Sequence, residues 1–409
     1  MEKVLEKVTL EDIKEARETI KGIVLETDLL ENVRLSESTG ASIWYKCENL
    51  QRTGSFKIRG ACNKIAHLTD EEKACGVIAS SAGNHAQGVA LGARNVGIKA
   101  TICMPQTAPV SKVAATKSYG AEVVLSGAVY DDAHAKAVEI QKETGATFLE
   151  PFNDKYVIAG QGTIGLEIYD QLDGDVDTVL VPVGGGGIVA GIATALKGLN
   201  PNIKVIGVQT CNIPSMKRSY EAGKVTTAFN AVTIADGIAV KTPGDLTFDI
   251  ISKKVDEMIT VTEEEIAEAI LFMMENQKLV SEGAGAVSTA ALLSGKYKPK
   301  KGERVVCVVS GGNIDINTLY RIMSVALKKQ GRRLSVEVEL PDQPGALQNL
   351  VSIFARNGAN ILTINQDKLA VGKHIKKQLV ECTVETQGME EVSKIKSDIL
   401  EAGLDAKYM

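Results

Sequence analysis

The sequence predicts an α/β protein of two doubly wound lobes, followed by a small separate unit of ferredoxin-like βαββαβ order. Three observations carry this. Val- and Ile-rich runs alternate with helical patterns from about residue 40 to 325, Gly and Pro bound those runs, and the periodicity changes near Gln330. At 409 residues the chain exceeds one ordinary core, so more than one domain is expected.

The elements follow in order. GVIASS precedes the helical NHAQGVALGARNVG, IKATICMP precedes SKVAATKSYG, and AEVVLSG precedes YDDAHAKAVEIQKETG. DTVLVPV then leads into GGGGIVAGIATALKGLN, NIKVIGVQT follows, and ERVVCVVSGGN comes late. Apolar runs separated by helices read as parallel strands covered on both faces. Residues 1–329 are expected to form one large domain, with a smaller lobe over about 50–150. KKQGRR reads as a linker, and residues 330–409 as a second domain. There LSVEVELPD alternates in period two, PGALQNLVSIFARNG is an amphipathic helix, ANILTINQDKLAV and KKQLVECTVETQG are strands, and MEEVSKIKSDILEAG is a second helix.

Composition excludes several functions. With 46 basic and 51 acidic residues the net charge is −5, and no dense basic patch offers itself to nucleic acid. No apolar run reaches the length of about 18 residues that spans a bilayer. The N-terminal MEKVLEKVTLEDIKEA is charged and helix-like rather than a signal peptide, so a cytoplasmic protein without membrane partners is expected. Seven scattered cysteines form no C-x-x-C pair, and four histidines form no H-x-x-x-H. Neither a disulfide framework nor a metal site is expected.

The chemistry must therefore come from elsewhere. In TGSFKIRGACNKI, Lys57 follows a Gly-Ser-Phe turn and precedes an apolar run of Ile58, Ala61 and Ile65. Burial there lowers its pKa, and a deprotonated amine condenses with carbonyls. A solvated lysine at a helix start is the plain alternative. Gly184, Gly185, Gly186 and Gly187 join a strand to a helix, where unobstructed N–H groups and the helix dipole suit a phosphate. A dinucleotide fold would want an acid at the end of the next strand, which instead holds Gln209 and Thr210. A glycine turn made for close packing stays open. Ser81, Ala82, Gly83, Asn84 and His85 form a second strand-to-helix junction, suited to a carboxylate or phenolate oxygen, with ordinary capping as the alternative. Ser310, in VVSGGN, places a hydroxyl at the carboxyl end of a strand.

An aldehyde for Lys57, a phosphate for the glycines, a ring oxygen for Asn84 and a ring nitrogen for Ser310 together describe pyridoxal 5′-phosphate. SFKIRGA, SSAGNHAQG, EPFNDKYVIAGQGTIGLEI, VPVGGGGIVAGIA and VVSGGN resemble the motifs of fold-type II pyridoxal-phosphate (PLP) enzymes. Their order and wording are similar to those of catabolic threonine dehydratases, or threonine ammonia-lyases. The resemblance covers essentially the whole chain.

That resemblance implies that Lys57 links the cofactor, Phe56 and Asn84 flank its ring, Gly184–Gly187 hold its phosphate and Ser310 faces its nitrogen. It implies that the Ser81–His85 loop takes the substrate carboxylate, with Glu282 of SEGAGA lining the site; Glu282 reads equally as a helix-start element after Ser281. The expected reaction is β-elimination of L-threonine to 2-oxobutanoate and ammonia, with L-serine to pyruvate as a side activity. A neutral Ser310 and the hydroxyl-free Ala82 favour elimination over transamination and racemisation. Rival readings are β-replacement or serine racemase chemistry, and a non-catalytic amino-acid sensor. Racemase relatives place acidic metal ligands where Gln209 and Ser215 stand here, which argues against a divalent site; a monovalent cation stays open. LPDQPGALQNL and GANI resemble an ACT domain, which implies an amino-acid effector near Gly345 and Asn360 in a dimer or tetramer, with a nucleotide as the other candidate effector.

Overall fold

The computed structural model describes residues 7–229, 231–368 and 376–408. Residues 1–6 of the expected N-terminal helix and residues 369–371 of an expected strand lie outside the described residues. The chain divides into two compact units, Met1–Asp315 and Ile316–Met409.

The first unit holds two sheets. The larger has six strands in the order Leu29–Glu31, Ser42–Lys46, Arg304–Val308, Thr178–Pro182, Lys204–Thr210 and Glu257–Val261. Leu29–Glu31 pairs antiparallel and the other pairings are parallel. Every residue of Thr178–Pro182 is buried, as a strand covered on both faces requires. Its Val179 and Val181 join the core built by helices Leu10–Thr19, Lys155–Gln171 and Gly187–Leu199. The smaller sheet is all parallel, in the order Glu122–Leu125, Ala100–Met104, Val77–Ser80 and Thr147–Phe148. The expected alternation of strands and helices is thus realised twice.

Glycines allow the closest helix crossings. A Cβ at Gly60 would lie 2.7 Å from the Val157 carbonyl oxygen, and one at Gly88 would lie 3.1 Å from the backbone at Lys57 and Ile58. Helix Lys57–Ala66 is therefore pressed between helix Lys155–Gln171 and helix Asn84–Val96.

The second unit begins with helix Ile316–Lys329, ahead of the change of pattern at Gln330. Four antiparallel strands follow, ordered Asn360–Asp367, Lys377–Glu385, Arg333–Pro341 and Asp405–Tyr408. Helices Ala346–Arg356 and Met389–Glu401 complete the β-α-β-β-α-β order. Val336, Val338 and Leu340 alternate inward and meet Leu350, Phe354 and Ile395 from those helices. Among the described residues no helix is long and apolar enough to cross a membrane.

Candidate active site

Lys57 opens its helix three residues after Gly54, whose φ of +70° only glycine adopts cheaply. The Lys57 side chain keeps some solvent contact while protein surrounds it closely. Its Nζ donates to the Pro151 carbonyl at 3.0 Å and lies 5.1 Å from the centre of the Phe56 ring. Loss of water pulls the amine down to about 8, against the opposing pull of Glu282. The solvated helix-start reading is therefore set aside.

From Lys57 a closed circuit of contacts runs through the expected site. Pro151 leads to Phe152, whose ring would lie 2.4 Å from a Cβ at Gly185. A Cβ at the neighbouring Gly184 would meet Ile238 at 2.9 Å, and Gly237 lies 3.2 Å, by the same measure, from Glu282 Oε1. That oxygen accepts from Asn84 Nδ2 at 2.8 Å. It would lie 2.6 Å from a Cβ at Gly311, the neighbour of Ser310. The circuit closes where the Phe56 N–H donates to the Ser310 carbonyl at 3.1 Å. Lys57, Phe56, Asn84, Gly184–Gly187, Glu282 and Ser310 thus surround one place, although they come from five distant segments.

Glu282 stands before helix Gly283–Leu293 and does not cap it with its side chain. Its backbone carbonyl accepts from the Gly285 and Ala286 N–H groups at the helix start, while its side chain is bonded to Asn84. It is 6 % exposed, and burial followed by the nearby Asp236 pushes its carboxyl up to about 7, while Asn84 opposes. A carboxyl that titrates near neutrality beside a lowered amine is an acid–base arrangement.

The glycine tetrad is buried at the start of helix Gly187–Leu199, with Gly186 at φ +99°. Among the described residues nothing accepts from the N–H groups of Gly185, Gly186 and Gly187. Orphaned buried donors at a helix start are what a phosphate satisfies. The packing reading holds as well, because Phe152, Ile238 and Thr247 crowd the positions where side chains would go. Asn84 keeps one Nδ2 hydrogen after serving Glu282, and Ser310 is 2 % exposed. The donor set suits pyridoxal phosphate.

Ser81, Ala82, Gly83 and Asn84 are half-buried, and the Ser81 hydroxyl accepts from the Gly83 N–H at 3.2 Å. His85 commits its Nε2 to the Leu149 carbonyl at 2.8 Å, and burial with Lys57 nearby lowers it to about 4. Its ring stays neutral, so it offers an anion no positive charge. Gln209 and Ser215 bond to each other at 3.4 Å, and the Ser215 hydroxyl donates to the Val240 carbonyl. Gly345 starts helix Ala346–Arg356 at φ +90°, and Asn360 opens an edge strand; both are exposed residues of the second unit.

Sequence reasoning missed three participants. Asn313 Nδ2 donates to Asn84 Oδ1 at 2.8 Å and to the Thr53 carbonyl at 2.7 Å, fixing the Asn84 amide. Phe152 floors the tetrad, and Ser55 is wholly buried beside Gly311 with no partner for its hydroxyl among the described residues. Each lies inside a motif already singled out, EPFND, SFK or SGGN, and residue type alone gave no reason to choose it.

Comparison with known proteins agrees with this geometry. A family model described as pyridoxal-phosphate dependent enzyme matches residues 20–311. The chain is 52 % identical over 402 residues to an L-threonine ammonia-lyase of Thermotoga maritima, covering 98 % of this chain and 100 % of the relative. Maize serine racemase superposes with a TM-score of 0.74 at 36 % identity, covering 79 % of this chain and 99 % of its own. The processed threonine deaminase isoform 2 of Solanum lycopersicum gives 0.73 at 37 %, covering 79 % and 91 %. With an amine, an anion cradle and a carboxyl of the right kinds in one place, and a family match across most of its length, this chain belongs to the pyridoxal-phosphate dependent enzymes.

Proposed function

We propose that the chain is a threonine ammonia-lyase, eliminating water from L-threonine to yield 2-oxobutanoate and ammonia, with L-serine to pyruvate as a side activity. The observation that carries this reading is the Lys57 amine, lowered to about 8 and held by the Pro151 carbonyl within the circuit of contacts that reaches the glycine tetrad and Glu282. The 52 % identity to an L-threonine ammonia-lyase along nearly the whole chain supports the substrate.

Pyridoxal phosphate, when bound, supplies an electron sink for the substrate α-carbon. Lys57 would hold the cofactor aldehyde, and its Nζ amine would be the base that takes the substrate α-proton. Near neutral pH its lowered pKa leaves a useful share of free amine. Phe56 and Asn84 would flank the cofactor ring, the tetrad N–H groups would take its phosphate, and Ser310 would offer its ring nitrogen a neutral hydroxyl that does not force a proton onto it. In the Ser81–His85 loop the Ser81 N–H is taken by the Cys103 carbonyl and the Gly83 N–H by the Ser81 hydroxyl, so the N–H groups of Ala82, Asn84 and His85 would orient the substrate carboxylate. Glu282, its carboxyl pushed up to about 7 by burial, carries less of the negative charge that would hold the Lys57 amine protonated. Ala82 has no hydroxyl to return a proton from the opposite face, so elimination prevails over racemisation.

The second unit serves as an ACT-type regulatory domain, its effector amino acid held at the Gly345 helix start and by Asn360 in a cytoplasmic homo-oligomer. Its βαββαβ order and antiparallel sheet support this. The test is direct. Purified full-length protein supplied with the cofactor should release 2-oxobutanoate and ammonia in equal amounts from L-threonine. The same assay with L-isoleucine, L-valine or AMP reads the effector. Absence of keto acid from both threonine and serine would defeat the assignment.

A further inference from the structure

Two residues beyond Lys57, Arg59 is wholly buried and holds two carboxylates. Its Nε and Nη2 donate to Glu48, each at 2.8 Å, and its Nη1 and Nη2 donate to Glu167. Thr163 and the Leu25 carbonyl accept its remaining bonds, both at 3.1 Å. Lys46, also wholly buried, bonds the same Glu167 at 2.6 Å. Two cations and two carboxylates thus share one dry site with no net charge.

Desolvating four charges is costly, and apolar side chains of similar volume would hold the helices together at least as well. What apolar packing does not give is direction. A planar guanidinium engaged by two carboxylates from different elements admits one orientation. In a helix two residues are about 200° apart, so Arg59 faces away from the cleft that Lys57 faces. Glu167 lies on helix Lys155–Gln171, and Pro151, the acceptor for Lys57 Nζ, comes just before that helix. Both sides of helix Lys57–Ala66 are therefore referenced to one neighbour.

We infer that Arg59 is a positioning residue: clamped by Glu48 and Glu167 behind the helix, it sets the rotation of that helix and so the aim of the Lys57 amine. The inference rests on the reading of Lys57 as the cofactor-linking amine. It makes Arg59, Glu48 and Glu167 determinants of rate rather than of stability alone.

A charge-balanced double variant, Arg59→Met with Glu48→Gln, tests it, because the Lys46–Glu167 pair and an acceptor for Thr27 both remain. Arg59→Lys is the second variant, keeping the charge and losing the fork. Thermal melts report the fold, hydride trapping with peptide mass analysis reports the fraction of cofactor linked to Lys57, and kinetics report kcat against KM. Both variants are expected to melt near the wild-type temperature while linkage falls and kcat drops about a hundredfold, with KM for L-threonine little changed. Folded variants with wild-type linkage and kcat would overturn the inference, as would activity lost only in step with stability. If wild-type protein carries no cofactor on Lys57, the proposed function fails instead, and the two failures are distinct.

Discussion

Helix Lys57–Ala66 separates two buried sets of ionisable groups that share a degree of burial and little else. On its cleft side, Lys57 and Glu282 have among the described residues no ion-pair partner close enough to offset desolvation, so the amine falls to about 8 and the carboxyl rises to about 7. On its far side, burial also penalises Glu48 and Arg59, yet mutual attraction wins: Arg59 holds the Glu48 carboxyl below its ordinary value, and Glu48 with Glu167 raises the guanidinium. The difference teaches that pairing, not burial, decides whether a buried charge is locked or poised. Poised groups do chemistry, and locked groups hold geometry.

Three substitutions break or sharpen that contrast. The largest effect is expected from Lys57→Ala, with turnover down by about 10⁴-fold because both the linking amine and the base are lost. Stability should hold, since among the described residues the buried amine has one carbonyl partner and no ion pair to offset its desolvation. Steady-state assays beside a thermal melt check both halves, and retained turnover would refute the site.

Arg59→Met alone should do the reverse in kind, leaving Glu48 and Glu167 with only Lys46 between them. A loss of about 3–5 kcal/mol is expected in urea unfolding of the protein. If the single variant is as stable as the double one, the cluster is not held by charge balance.

The smallest effect is the most diagnostic in sign. Glu282 titrates in the folded state near 7 against an ordinary 4.5, so between these values the native protein keeps a proton that the unfolded chain has released. Its contribution is complete below about 4.5 and lost as pH rises through 7. Glu282→Gln stays neutral and still accepts from Asn84. Cofactor-free variant protein should therefore gain on wild type as pH rises, by up to about 3 kcal/mol at pH 8 and little at pH 5. An equal difference at both pH values would show that the carboxyl is not desolvated.

Much of the fold was legible along the chain. The runs at Val77–Ser80, Ala100–Met104 and Thr178–Pro182 are apolar, β-branched and bounded by glycine or proline, and all became parallel strands. Leu29–Glu31 and Thr147–Phe148 went unread because three or two residues show no periodicity. Ser42–Lys46 ends in a lysine, and a charged strand end gives no hint that it lies in the core. The site divides in the same way. Lys57, Asn84, the tetrad and Ser310 stand at strand-to-helix junctions, where a sequence announces its ligands. The Pro151 carbonyl is a backbone group 94 positions from Lys57, and the Glu282 partner of Asn84 is 198 positions away. Nothing local marks either.

By itself the sequence determined which chemical groups exist, in what order, and on what kind of junction: an amine before an apolar helix, donors at a glycine turn, a hydroxyl at a strand end. Only the tertiary structure decided their state. Whether Lys57 is poised or Arg59 locked depends on separations and lost water in three dimensions, and Coulomb attraction falls with distance through space, not along the chain.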